Sequence, residues 1–295
     1  MHEGQVDLSL EVARQLIDDQ FPSWRHLPVR MVTSSGTLNR IVRIGDRLAA
    51  RFPLVVQEPT AAREALRSEA AAARELAECS PVPAPVPVAF GEPGPGYPLP
   101  WAVQTWVPGR IATDEDPAGS DAFAEDLAGF IARLRACDTK GRRFSGGGRG
   151  GELPDHDDWV QLCLERSTAL LDVRRLGLLW RELRVLPRVG SEVMSHGDLV
   201  PGNVLVDAGR LVGVIDGGGF GPADLALDLV GGWHLLDPSP REVLRRSLGC
   251  GDVEWLRGKA WALVQALGLV WYYVDSNPVM SGIGRRTLDR VLAMS

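Results

Sequence analysis

His196, Asp198 and Asn203 share one short stretch, SHGDLVPGNVLVD at 195–207, and a further carboxylate, Asp216, follows it. Those residue types at that spacing suit phosphoryl transfer. A carboxylate so placed accepts or orients the proton of an attacking hydroxyl, and an amide oxygen five residues on binds the cation that neutralises phosphate charge. Pro201 and Gly202 hold the intervening turn tight. NVLVD, AG and RLVGVID then alternate as a hairpin, with Gly209 at its turn. Asp216 ends the second strand and offers a second hard oxygen ligand of the kind magnesium takes. A lone H-x-D would be an ordinary polar loop; the joint set of His, Asp, spaced Asn, hairpin and Asp is far rarer.

The bulk properties narrow the setting. The chain has 295 residues, 45% hydrophobic, which supports one large domain or two lobes. A net charge of −6 argues against nucleic-acid or anionic-membrane partners, which call for a basic face. No protein partner is evident. Cys79, Cys137, Cys163 and Cys250 are far apart and read as reduced thiols. The first twenty residues carry early acids and no apolar run, and no stretch is long enough to span a bilayer. A soluble cytoplasmic protein is expected.

The elements that must position the chemistry come in two blocks. Leu8, Val12, Leu16 and Ile17 share a helical face over 8–20. VRMV, RIVRI and LAARF read as three strands, with the polar loop TSSGTLN between the first two. Alanine, arginine, leucine and glutamate predict a helix from Thr60 to Glu78. The proline-rich stretch after it reads as extended surface chain, and WAVQTWV as a buried strand. Past Pro108-Gly109, residues 121–137 and 156–180 look helical around a flexible loop, RRFSGGGRGGELP. Everything from Ala223 on looks helical, with turns at DPSP, GCGD and DSNP. A small β-rich lobe therefore precedes a large helical one.

The chain resembles the aminoglycoside phosphotransferase family, antibiotic and small-molecule kinases of protein-kinase architecture, and within it an actinobacterial-type branch of undefined substrate. The likeness runs through DQFPSWRHLPVR, GEPGPGYPLPWAVQTWVPG, HGDLVPGNVLVDAGRLVGVID and WLRGKAWALVQALGLVWYYVDSNPV. It implies an α+β, protein-kinase-like bilobal fold. A nucleotide-binding lobe would span 1–107, ending in the hinge. A helical lobe with the catalytic loop and acceptor site would span 108–295. It further implies Asp198 as catalytic base, Asn203 and Asp216 as Mg2+ ligands, and His196 as a brace of the loop. Asp224 and Asp228, which match family positions, are expected to be structural. The donor would be ATP, with GTP as the alternative, and the acceptor a small hydroxylated molecule, an aminoglycoside or other antibiotic among the options.

Kinases pair a third-strand lysine with a glutamate on the next helix. The two lysines here, Lys140 and Lys259, both fall outside the first lobe, so Arg51 takes that place, with Glu69 favoured over Glu64 as partner. Ser34, Ser35 and Gly36 would form the loop over the phosphates. Gln104, Thr105 and Val107, in QTWV, would form the purine-reading hinge.

Three departures from the branch pattern stand out. Asp216 is followed by Gly217-Gly218-Gly219 in place of D-F-G-D, Leu38 replaces an acid before Asn39, and Val200 replaces a histidine after the catalytic aspartate. Three glycines lose much entropy on ordering, which predicts a loosely held Asp216 and keeps open a nucleotide-binding pseudoenzyme. Asp155, Asp157 and Asp158 would receive a cationic acceptor, although acids also suit a helix start through its dipole. A protein-serine kinase is disfavoured, because no A-P-E-like segment follows Asp216.

Overall fold

The computed structural model describes residues 6–32, 39–146 and 148–293. Ser34, Ser35, Gly36 and Leu38 lie outside the described residues. The chain divides into two compact units. The first takes the chain up to Glu78, Pro83–Pro108 and the short segment Val214–Gly218; the second takes Cys79–Val82, Gly109–Gly213 and Gly219 onward.

The first unit is a five-stranded antiparallel sheet with two helices. Its strands are β1 (Val29–Val32), β2 (Asn39–Ile44), β3 (Leu48–Pro53), β4 (Pro87–Gly91) and β5 (Trp101–Thr105), in the order β1-β2-β3-β5-β4. The proline-rich stretch thus contains an edge strand. Prolines are tolerated at an edge, and the pairing shifts register between Pro87 and Ala89. Helix α1 (Leu10–Gln20) is capped by Ser9, whose hydroxyl accepts from the Val12 amide. Its Leu16 and Ile17 join Phe52, Tyr97 and Trp101 in the core. Phe52 stacks on Trp101 at 4.6 Å between centroids and meets Tyr97 edge-on at 5.2 Å. Helix α2 (Pro59–Cys79) buries Ala62, Ala70, Ala73 and Leu76 along one stripe.

The second unit is mainly helical. It holds β6 (Arg110–Ile111), α3 (Asp121–Arg135), α4 (Asp157–Arg166), α5 (Val173–Leu183), β7 (Val193–Ser195), β8 (Val204–Asp207), most of β9 (Arg210–Val214), β10 (Gly221–Ala223), α6 (Val230–Leu235), α7 (Pro238–Leu248), α8 (Asp252–Tyr272) and α9 (Pro278–Leu292). The helical stretch expected over 156–180 is two helices. Helix α4 ends at Arg166, where the Thr168 hydroxyl donates to the Glu165 carbonyl at 2.6 Å, and the Asp172 carboxylate caps α5 by accepting from the Arg175 amide, so the chain breaks where short polar side chains compete for the backbone. The β8–β9 hairpin turns at Ala208 and Gly209, both at positive φ, as a tight primed turn requires. Helix α8 is apolar nearly all round and forms the axis on which α4, α5, α6 and α9 pack. Among the described residues no helix is long and apolar enough to cross a membrane.

One buried ion pair ties this unit together. Asp224 and Arg257 are 2% and 1% exposed, and the Arg257 Nε–H donates to Asp224 at 3.0 Å. Trp261 Nε1–H donates to the same carboxylate oxygen at 3.0 Å, and Arg257 also donates to the Leu186 carbonyl. Every partner in the group is hydrogen-bonded, which is the condition for tolerating charge in a core. Asp224→Ala leaves the Arg257 guanidinium buried without its counter-charge and is expected to cost about 3–5 kcal/mol. A urea titration would show this as a lower midpoint.

Candidate active site

The loop carrying Asp198 follows β7 and ends in a 3-10 turn, Pro201–Asn203. Its backbone is pinned from below. The Asp228 carboxylate, buried in a 3-10 turn before α6, accepts the amides of His196 at 2.8 Å and Gly197 at 2.9 Å. The Gly197 carbonyl accepts from Gln265 Nε2 of α8 at 3.3 Å. Gln265 in turn meets His234 Nε2 at 3.2 Å, and His234 Nδ1 meets the Thr287 hydroxyl of α9 at 2.9 Å. Burial lowers the His234 pKa to about 4, so the ring is neutral at physiological pH. A neutral ring donates from Nε2 to Gln265 Oε1 and accepts at Nδ1 from Thr287. The structural roles expected of Asp224 and Asp228 match these bonds. His196 also serves the loop, its Nδ1 accepting the Asp198 amide at 3.3 Å.

Both oxygens of Asp198 have partners. Asn203 Nδ2 donates to its Oδ2 at 2.8 Å and to its backbone carbonyl at 3.0 Å. Arg149 reaches its Oδ1 at 2.9 Å. Arg149 is the single charged residue in the run SGGGRGG, and nothing in its sequence context points to Asp198. The glycine-rich loop read as flexible is anchored around it. Gly150 and Gly151 are buried, and the Gly150 carbonyl accepts the Asp224 amide at 2.8 Å.

The first unit brings Arg51, Glu69 and Asp216 together. Arg51 on β3 donates to Asp216 Oδ1 at 2.8 Å. Burial pushes the Glu69 carboxyl upward; Arg51 works against that and Asp216 adds to it. Asp216 has a positive φ of 63°, a left-handed conformation that aspartate tolerates better than most residues. The three glycines after it form a 3-10 turn, whose first two residues lie against α2. A Cβ on Gly217 would lie 2.3 Å from Leu76 Cδ2, and one on Gly218 would lie 3.0 Å from Glu69 Cγ. Glu69 and Leu76 are seven residues apart, hence on one face of the helix. The glycines admit α2 to the backbone beside Asp216. They belong to a close approach between helix and turn, where the sequence suggested a loose tether. Gly219 has open space around its Cα.

In the expected hinge, the Thr105 amide donates to the Val86 carbonyl and the Trp106 amide to the Arg47 carbonyl. Gln104 is paired within the sheet. Val107 makes no backbone hydrogen bond among the described residues. Of the acids expected near an acceptor, Asp157 is held by Arg184 and by Trp180 Nε1–H at 2.9 Å, and that bonding depresses its carboxyl. Asp155 and Asp158 make no side-chain ion pair among the described residues.

For a magnesium ion, the available donors are hard oxygens. With its amide nitrogen engaged by Asp198, Asn203 keeps Oδ1 without a hydrogen bond among the described residues, as Asp216 keeps Oδ2. No cluster of three or more His, Cys, Asp or Glu among the described residues forms a metal cage. Magnesium bound with a nucleotide needs none, since phosphates and water complete its shell. The residues fit.

Gly217→Ala should destabilise the protein by about 1–3 kcal/mol through overpacking on Leu76, while Gly219→Ala should change stability little. Combining Gly217→Ala with Leu76→Ala should cost less than the sum of the single changes, measured in a double-mutant cycle. The neutral His234 gives a pH test. Its folded pKa lies below the ordinary value, so the unfolded chain binds more protons under mild acid. Stability is full above pH 6.5 and falls as the pH drops toward 4. Between pH 7 and 5 this group should remove about 2 kcal/mol. In His234→Phe that part of the slope should vanish from unfolding curves taken across this range.

Known proteins resemble this chain in sequence and in fold. An aminoglycoside 3'-phosphotransferase of Escherichia coli is 29% identical over 143 residues, which are 46% of this chain and 52% of that protein. The chain thus spans about half the length of that relative. The GDP complex of wild-type aminoglycoside 2'-phosphotransferase-IIIa superposes with a TM-score of 0.70 at 19% identity, covering 96% of this chain and 99% of that one. The macrolide 2'-phosphotransferase apoenzyme from Brachybacterium faecium gives 0.59 at 19% identity, over 88% and 91%. These likenesses establish the α+β, kinase-like fold. With a family model matching residues 31–261, from β1 into α8 and across both Asp198 and Asp216, the chain belongs to the phosphotransferase enzyme family that includes the aminoglycoside phosphotransferases.

Proposed function

We propose that this protein moves the γ-phosphoryl group of ATP, with GTP as the alternative donor, to a hydroxyl of a small molecule. The observation that carries the reading is Asp198. The two residues before it are fixed by Asp228, its Oδ2 is held by Asn203, and its side chain is 34% exposed, within reach of a ligand. A carboxylate so fixed and still accessible is what a general base needs.

The smaller unit would hold the nucleotide. Arg51 offers a guanidinium to phosphate, Glu69 lies beside it, and the Val107 backbone, which makes no backbone hydrogen bond among the described residues, would pair with a purine edge. Ser34, Ser35 and Gly36 would cover the phosphates. Asn203 Oδ1 and Asp216 Oδ2 would hold magnesium, which supplies charge neutralisation on the phosphates. In the transfer, Asp198 accepts the proton of the acceptor hydroxyl as its oxygen bonds to the γ-phosphorus. The bond from that phosphorus to the bridging oxygen breaks, ADP leaves with the electron pair, and Asp198 returns its proton to solvent. Aminoglycosides and macrolides, named for the relatives, are the first acceptors to test. The Asp216–Arg51 bond, which engages a metal ligand with a cation, favours a second reading in which nucleotide binds without turnover.

Asp198→Asn should lower acceptor-dependent ADP release by about 10²–10⁴-fold while ADP affinity stays within a few-fold of the wild type. A coupled ADP-release assay with a calorimetric titration of ADP measures both. Undiminished turnover in this variant removes Asp198 from the chemistry. Tight ADP binding with no acceptor-dependent release across a broad hydroxyl panel supports the second reading.

A further inference from the structure

We propose that Arg149 selects the acceptor by charge, and that the acceptor carries an anionic oxygen group, a carboxylate or a phosphate ester, near the hydroxyl that reacts. The inference rests on Asp198 acting as the base. It begins with the 2.9 Å contact between Arg149 and Asp198 Oδ1, the oxygen that Asn203 leaves open. Side-chain exposures of 37% and 34% leave both groups in reach of solvent and ligand.

The contact is built into the backbone. On one side of Arg149, the Phe144 amide donates to Glu192 Oε2 at 2.7 Å. On the other, the Gly150 carbonyl takes the Asp224 amide, and Asp224 is fixed by Arg257 and Trp261. Gly150 has φ of 117°, and a Cβ there would lie 2.8 Å from the Ala223 Cβ, so the chain passes too close for any other residue. Next in sequence, Glu152 pairs with Arg188, which also holds Glu192. The guanidinium is therefore presented at Asp198 by a segment tied to the core.

Its chemistry sets the preference. A guanidinium has five N–H donors in a planar fork, and one contact to Asp198 leaves others to receive an anion side-on. Several acids of this unit are already paired, Glu152 with Arg188, Asp157 with Arg184 and Asp224 with Arg257, whereas Asp155 and Asp158 make no side-chain ion pair among the described residues and are the acids a cation would have to use. A polycationic acceptor that reaches Asp198 has the Arg149 guanidinium beside it and is disfavoured by like charge. A hydroxy acid or sugar phosphate is held by Arg149 with its hydroxyl beside Asp198.

The test uses the full-length protein with Mg-ATP and four kinds of hydroxyl compound: D-gluconate, glucose 6-phosphate, neutral myo-inositol and polycationic kanamycin. Wild type should show its highest kcat/KM with one of the two anions, and which one identifies the anionic group. Arg149→Gln should raise KM for that anion by about 30-fold, far more than it raises KM for myo-inositol, whereas any effect through Asp198 on kcat should be shared by all acceptors. Arg149→Lys should recover part of the loss, since it keeps the charge without the fork. The same compounds are titrated calorimetrically into ADP-loaded protein, which reads Arg149 without turnover. The proposal is overturned if kanamycin is the best acceptor, if Arg149→Gln lowers kcat equally for all four with KM unchanged, or if neither anion binds in an Arg149-dependent way. Failure of the kinase reading looks different: no compound yields ADP above the Asp198→Asn background, whatever the binding titrations give.

Discussion

Two backbone amides on one carboxylate organise the larger unit. Asp228 accepts from His196 and Gly197 in the interior, where an unpaired amide or an uncompensated carboxylate would each be costly. The loop therefore has one low-energy path past Asp228, and Asp198 emerges from it at a fixed place. Gln265, His234 and Thr287 extend the arrangement through α8 and α9 to the back of the unit. A neutral histidine suits that position because it can donate from one nitrogen and accept at the other without bringing a charge into the core.

Arginine does most of the electrostatic work in this chain. With Lys140 and Lys259 its only lysines, several structural acids are matched by guanidinium groups, Asp224 by Arg257, Asp157 by Arg184, Glu192 by Arg188 and Asp216 by Arg51, while Asp228 is held by amides. A planar fork holds a carboxylate with direction as well as charge, so each pair fixes a segment of chain. At Asp224 the pair is buried and fully hydrogen-bonded. At Asp198 and Asp216 it is reachable, and a ligand can compete for it.

The tri-glycine turn shows why composition alone misleads. Free in solution, three glycines are the most mobile tripeptide a chain can carry. Packed on α2, the first two let Leu76 and Glu69 approach the backbone after Asp216, where a Cβ would lie 2.3 Å and 3.0 Å from those side chains. Absence of a side chain serves close packing here, and the sequence does not distinguish that from looseness because Leu76 lies far away along the chain.

By itself the sequence determined the periodic elements and the local motif. Helix faces, the three first strands and the β8–β9 hairpin were legible because each is set by residues adjacent in the chain, as was the spacing that links Asp198 to Asn203. The break between α4 and α5 is not legible because it depends on single side chains, Thr168 donating to the Glu165 carbonyl and Asp172 capping α5, within an otherwise helical pattern. The edge strand in the proline-rich stretch was missed because only its place in the sheet makes proline tolerable. Tertiary structure alone decided which side chains meet across long separations: Arg51 with Asp216, Arg149 with Asp198, Asp224 with Arg257, and His234 with Gln265 and Thr287. Such pairs leave no periodic trace, since hydrogen bonds and ion pairs act over a few ångströms in space and are indifferent to distance along the chain.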